Sequence, residues 1–277
     1  MHNTNLEPAI LTEYLLHLAD DALILGHRNS EWCGHGPVLE QDIALTNIAL
    51  DLIGQGRNFY QYAASTANQS GLRILQTVEE KEINEDSLAY LRDTREFRNC
   101  LLVEQTNGDW AKTIMRQFLF SSFQYLLYSK LQESRDSVIA GISAKALKEV
   151  TYHMRWSGEW VIRLGDGTEE SRHRIMQAIT ELWTYTGELF APTDYEKSAA
   201  DAGIGANLPS LKTEWDKRVA EVFHEAILPH PGGTGEGGLT ADPWMQSGGK
   251  SGLHSEHLGF ILTELQFMQR AYPACEW

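Results

Sequence analysis

The sequence predicts an all-α fold, a four-helix core with additional helices around it. Two observations lead to this. Apolar residues recur at helical spacing along seven stretches, and no stretch alternates apolar and polar residues over a strand's length. The second is the stretch 37–60, PVLEQDIALTNIALDLIGQGRNFY. Its interior is apolar at Ile43, Ala44, Leu45, Ile48, Ala49, Leu50, Leu52 and Ile53, yet a thin polar line runs through Glu40, Asn47, Asp51, Gln55 and Asn58. Those spacings return to one side of a helix. A surface helix has a broad charged face; a narrow acidic and amide stripe fits a central bundle helix whose polar line faces either a polar interior or a strip of solvent.

With 277 residues, 42% hydrophobic and 22% charged, the chain has an ordinary globular composition and is read as a single domain over 1–277. No apolar run approaches the roughly 18 residues that would suggest a membrane span. The N-terminal MHNTNLEPAILTEY lacks a basic region followed by an apolar core, so no secretory signal is expected. Cys33, Cys100 and Cys275 are an odd number without metal spacing, which fits a reducing, cytoplasmic compartment. A net charge of −15 argues against nucleic acid and anionic membrane as partners. It leaves room for a basic protein partner, although a solvated acidic surface explains it as well.

The first core helix is expected over 11–28, with Thr12 as a cap. Asp20 and Asp21 fall in its middle, where Asp is a poor helix former. Either one of them faces inward or both lie on a solvated face. The second core helix spans 37–67, with Pro37 at a first helical position and fraying over 63–67. Residues 71–98 read as a charged surface excursion with a short helix at 87–92, and so long a connection implies a crossover between bundle helices. The third core helix, 110–133, is aromatic and carries a small polar line at Gln117, Ser121, Gln124 and Tyr128. The fourth, 137–164, places Lys145, Glu149 and His153 on one face. Further helices are expected over 169–190, 211–228 and 255–271, with a mixed connection over 191–210. Residues 229–252 are glycine-rich and read as a mobile loop without regular structure or a nucleotide-binding pattern.

Bundle cores with carboxylates are where di-iron sites are built, from a carboxylate on each of two helices and a Glu-x-x-His pair on each of the other two. The first helix offers Asp20 or Asp21. The second offers Asp51, followed three residues on by Gly54 rather than His. The third offers Gln117, Ser121 or Gln124, none of them anionic. The fourth offers Glu149, followed by Tyr152, with His153 turned about 100° away. The scaffold pattern is there and the ligand set is incomplete, so Asp20, Asp21, Asp51, Ser121, Glu149 and His153 read as vestigial di-iron positions. Buried carboxylates then need a counter-charge. Lys145, or else Arg57, is the expected cation; the alternative is that Lys145 snorkels to solvent.

His254-Ser255-Glu256-His257, with Glu264 beyond, is the other cluster that invites a metal. The plainer reading has Ser255 as an N-cap, with His254 and His257 bonded to nearby backbone.

Four stretches, EWCGHGPVLEQDIALTNIALDLIGQGRNFYQYAA, LLVEQTNGDWAKTIMRQF, ESRDSVIAGISAKALKEVTYH and GGKSGLHSEHLGFILTELQFMQR, resemble the C subunits (PaaC type) of the bacterial 1,2-phenylacetyl-CoA epoxidase complex. The resemblance covers most of the chain. It implies a ferritin-like fold and a place in an oxygenase that epoxidises the ring of phenylacetyl-CoA. It further implies a paralogous A subunit that holds the di-iron centre and the CoA thioester, a bridging B subunit and a reductase subunit. The C subunit would be structural and hold no cofactor of its own; a homodimer of the lone chain stays open. Competing readings are an active di-metal oxygenase or oxidase using Asp20 or Asp21, Asp51, Glu149 and His153, and a ferritin-like storage or small-ligand binding protein. The aromatic third helix is a candidate docking surface, although an aromatic stripe is more often core.

Overall fold

The structure is a computed structural model that describes residues 6–75, 82–231, 244–272 and 275. Among them the secondary structure is helical throughout, with no strand. Helix α1 (Pro8–Ser30) and α2 (Leu39–Ser70) form an antiparallel hairpin. The two backbones approach closely where Gly56 faces α1: a Cβ built there would stand 3.1 Å from the Ala19 carbonyl oxygen. Next come two short helices, α3 (Glu85–Tyr90) and α4 (Leu101–Glu104), then α5 (Trp110–Leu131) and α6 (Ser137–Gly165), a second hairpin turned by a short link. Bonds from Gln124 to Gln55 and from Gln55 to Glu149 put α5 beside α2 and α6 opposite it. Since α2 and α5 run the same way, the chain between them must travel back along the bundle, which is why that connection is long. Two antiparallel pairs joined by one crossover make a ferritin-like bundle.

Around it pack α7 (Glu169–Leu182), α8 (Asp194–Asp201), α9 (Leu208–Glu225) and α10 (Glu256–Ala271). One continuous apolar cluster runs from Leu11 through the bundle to Leu262.

Several expectations need correction. Thr12 does not cap α1; its hydroxyl donates to the Pro8 carbonyl from within the helix. Pro37 lies outside α2, whose cap position is Val38. That helix does not fray over 63–67 but continues to Ser70, ending on Gly71 in the left-handed conformation. The helix expected over 169–190 stops at Leu182 and proceeds as two 3₁₀ turns, although Ile175, Ile179, Leu182, Thr186 and Leu189 all face in at helical spacing. The connection 191–210 contains α8, opened by a Thr193/Glu196 capping box. The stretch 71–98 is no mere surface excursion, since Leu88, Arg92 and Phe97 are fully buried. Of the glycine-rich stretch, 232–243 lies outside the described residues. Residues 244–252 touch the core at particular points: Met245 lies against it and Gly249, Lys250 and Gly252 are buried, while Trp244 is exposed.

The third core helix is interior rather than a docking surface, with Phe118, Phe120, Phe123 and Tyr128 each almost without exposure. No helix among the described residues is long and apolar enough to cross a membrane.

Candidate functional site

The polar lines read from the sequence meet in the bundle interior. Gln55 on α2 is the hub. Its amide nitrogen donates to Glu149 on α6 at 2.9 Å, and its oxygen accepts from Gln124 on α5 at 3.1 Å. Tyr128 also reaches Gln124, at 3.1 Å. One turn along, His153 Nε2 lies 3.0 Å from Asp51 Oδ2, with the imidazole buried and the carboxylate partly open to solvent. Deeper still, the Ser121 and Ser157 hydroxyls lie 3.4 Å apart, and Asn29 donates to Gln117 at 2.7 Å. A cavity of about 130 Å³ lies between α2 and α6, lined by Asp51, Gln55, Asn58, Lys145 and Glu149 among others. Apart from Asn29 and Ser157, which the sequence reading did not single out, the interior members of this set sit at the helical spacing that the sequence displayed; neutral amides and hydroxyls make up most of it.

Asp20 and Asp21 do not join that interior. Both are buried, which removes the solvated-face alternative. Asp20 pairs with Arg92, accepts from the Tyr60 hydroxyl, and takes the Arg98 backbone N–H at 2.7 Å. Asp21 accepts from the Cys100 backbone N–H at 2.7 Å. Apart from Tyr60 on α2 these partners come from the crossover, so α1 turns both carboxylates towards that segment.

A second buried network continues from there. Glu196 on α8 lies 3.1 Å from His17 and 2.9 Å from Lys250 Nζ. Glu188 accepts from the backbone N–H groups of Leu101 at 2.7 Å and Gly248 at 2.8 Å. Glu104 accepts from Ser255 N–H at 2.7 Å and meets His254 Nδ1 at 2.8 Å. Burial works against a charged His17, but Asp21 and Glu196 outweigh it and raise its pKa to about 9. For Asp21 burial wins over His17 and the Cys100 N–H, and its pKa rises to about 6. Glu196 resists burial through His17 and Lys250 and falls to about 2.

Lys145 is not the internal counter-charge. It is exposed, lines the outer cavity, and no ion pair joins it to a carboxylate among the described residues. Arg57 is itself exposed and pairs instead with half-buried Glu85. Among the described residues the buried cations are Arg28, Arg92, Arg116 and Lys250; Arg92 and Lys250 are the two that meet buried carboxylates, Asp20 and Glu196, where several hydrogen bonds offset the desolvation of a charge. Ser255 occupies the N-cap position of α10, but its hydroxyl makes no capping bond and is buried without a partner. His254 bridges Glu104 and the Phe97 carbonyl, while Glu264 is exposed. Among the described residues no group of three or more His, Cys, Asp or Glu side chains is placed to hold a metal ion.

A model of the phenylacetic acid catabolic protein family matches residues 2–277. The chain belongs to that family. It is 43% identical over 267 residues to the C subunit of the 1,2-phenylacetyl-CoA epoxidase of Escherichia coli (strain K12), a match that covers 96% of this chain and 99% of the relative. In this phenylacetic acid catabolic protein, sequence reasoning missed Arg92, Glu104, Glu188, Glu196 and Lys250. Thr193-x-x-Glu196 was a readable capping signal. Glu188 falls within the stretch expected to be helical but ends up in a 3₁₀ turn, while Arg92, Glu104 and Lys250 stand in stretches without sustained periodicity, where one sequence offers no sign of burial.

Proposed function

We propose that the chain is the structural, non-catalytic subunit of a phenylacetyl-CoA 1,2-epoxidase complex in phenylacetate degradation. It stabilises and orients a paralogous A subunit that carries the di-iron centre, alongside a bridging B subunit and a reductase. The carrying observation is the Gln55 hub. A di-iron pair requires about four carboxylates to offset its charge; this interior presents Asp51, Glu149 and His153, the last two already engaged with Asp51 or Gln55, and neutral Gln117, Ser121 and Gln124 on α5. The donor set does not fit two irons. Asp20 and Asp21, which would supply the missing charge, are held by the crossover. The family match and the likeness to an epoxidase C subunit support this reading of the reaction.

The test is iron analysis of the chain alone and of the reconstituted complex, with phenylacetyl-CoA turnover followed in parallel. Iron is expected in the complex and below about one-tenth equivalent in the lone chain. Two irons per lone chain, or turnover lost in an assembled complex carrying Asp51→Asn with Glu149→Gln, would overturn the reading and favour an active di-metal oxygenase.

A further inference from the structure

Residues 248–255, GGKSGLHS, lead directly into α10 and lie across the crossover. The contact is backbone on backbone. A Cβ built on Gly249 would collide with the Asn99 carbonyl oxygen, and one built on Gly252 with the Arg95 carbonyl oxygen. Glycine at those two places is what allows so close an approach. Cys100 belongs to the stretch that Gly249 covers: it is 1% exposed, and the charges acting on its thiol include Glu188 and Lys250.

What holds this segment differs from what holds the helices. Its one large apolar side chain, Leu253, is 64% exposed, so apolar burial contributes little. Three buried carboxylates, each on a different element, do the holding. Glu188, in the 3₁₀ turn Gly187–Phe190, takes the N–H groups of Gly248 at 2.8 Å and Lys250 at 3.3 Å. Glu196 of α8 takes the Lys250 ammonium at 2.9 and 3.0 Å. Glu104 of α4 takes the Ser255 N–H at 2.7 Å and meets His254 at 2.8 Å. The Tyr195 hydroxyl donates to the Lys250 carbonyl, and His254 Nε2 lies 3.0 Å from that of Phe97. Water replaces most of what such bonds supply once they part, whereas nothing replaces the apolar packing between α1, α2, α5 and α6. The segment is also tied to itself: Ser251 and Leu253 N–H donate to the Gly248 carbonyl, and Gly252 N–H to that of Gly249. Those bonds close 248–253 into a turn that moves as a body.

We propose that 248–255 is a strap that opens and closes as one unit while the bundle stays folded, and that its opening is the route by which solvent reaches Cys100. Closed, it couples α4, the 187–190 turn and α8. Open, it gives all three carboxylates to water together. This concerns the lone chain and does not depend on the subunit role above.

The experiment uses the full chain with Cys33→Ser and Cys275→Ser, which leaves Cys100 as its one thiol. Amide exchange is followed by mass spectrometry and Cys100 by alkylation with iodoacetamide, both in denaturant below the range where the bundle unfolds. Exchange over 248–255 and alkylation of Cys100 are expected to report the same opening equilibrium, with the interiors of α2 and α5 still protected. Glu104→Gln loosens one end of the strap. It is expected to accelerate exchange at Gly248 and Lys250, at the other end, by the same factor as at Ser255, roughly tenfold, and alkylation with them. Gly252→Ala disturbs the strap without removing a charge and is expected to do the same, so the proposal stays testable if Glu104→Gln does not fold. Alkylation that begins only where the whole bundle unfolds would overturn the proposal. So would a Glu104→Gln variant that frees 253–255 but leaves Gly248 and Lys250 unchanged, or faster strap exchange with no gain in Cys100 alkylation.

Discussion

Arg92 closes on Asp20 in the protein interior, and neither side chain has any exposed surface. The guanidinium is held further by the Leu88 and Glu96 carbonyls and lies 4.2 Å from the centre of the Phe97 ring. Asp20 is held by Tyr60 and by the Arg98 N–H. One ion pair therefore ties α1 and α2 to the crossover, and its remaining hydrogen-bonding capacity is satisfied on both sides. A buried pair of this kind is weak evidence of net stability, but removing one partner strands the other.

Asp20→Asn leaves the Arg92 charge inside without its counter-charge. The expected loss is about 3–5 kcal/mol in chemical denaturation. Asp20→Asn together with Arg92→Met should cost less than Asp20→Asn alone, which separates a stranded charge from a lost contact. Equal losses would contradict the pair's role.

Stability should fall as pH rises above neutral. His17 has its pKa raised to about 9, so its contribution is complete below about 6.5 and is lost as pH rises through 9. His254 is also raised, since the effect of burial is outweighed by Glu104, and it has the same sign. Glu196, lowered to about 2, contributes above about 4.5 and loses that contribution only as pH falls through 2. Asp21, raised to about 6, has lost its contribution once pH exceeds that value. Between about 6.5 and 9 the two histidines set the slope, His17 contributing up to about 3 kcal/mol. Denaturation at pH 6.5 and pH 9 measures it, and His17→Gln with His254→Gln should flatten the difference.

Lys250 fastens the segment 244–255 to the core. Its Nζ meets both Glu196 oxygens, its carbonyl accepts from Tyr195, and the preceding loop bonds to Glu188. Lys250→Met keeps most of the side-chain length and removes the charge. Amide exchange over 248–253 should accelerate at least tenfold, while exchange in the middle of α5 changes little. Uniform acceleration throughout the chain would mean that the lysine supports the whole fold rather than this segment.

Gln55→Glu faces a second carboxylate towards Glu149, now 2.9 Å from the Gln55 amide nitrogen. Like charges at that distance disfavour ionisation, so the variant's stability should decline as pH rises from 4 to 7, by roughly 1–3 kcal/mol relative to the parent. Melting curves at the two pH values decide it. A pH-independent difference would show that the site exchanges the strain for solvent.

The long helices could be read without coordinates because their periodicity is a local property: α2, α5 and α6 display their buried faces every three or four residues. The interior line Gln55, Gln117, Ser121, Gln124 and Glu149 was legible for the same reason. The burial of Asp20 was only half legible. Its place on α1 could be read, but the residue that would meet it could not, because Arg92 stands 72 positions away in a stretch with no period. Lys145 misled by spacing: one turn from Glu149 on a helix face, it follows that face outward to solvent.

The amino-acid order alone determined an all-helical bundle, its crossover and its family, since repeating patterns and family motifs are written along the chain. Tertiary structure alone decided which charges are paired inside. Arg92 reaches Asp20, and Lys250 reaches Glu196, only because the crossover and the 244–255 segment fold back over α1 and α8. Pairing a buried charge depends on which distant segments share the same dry space, and no local pattern records that.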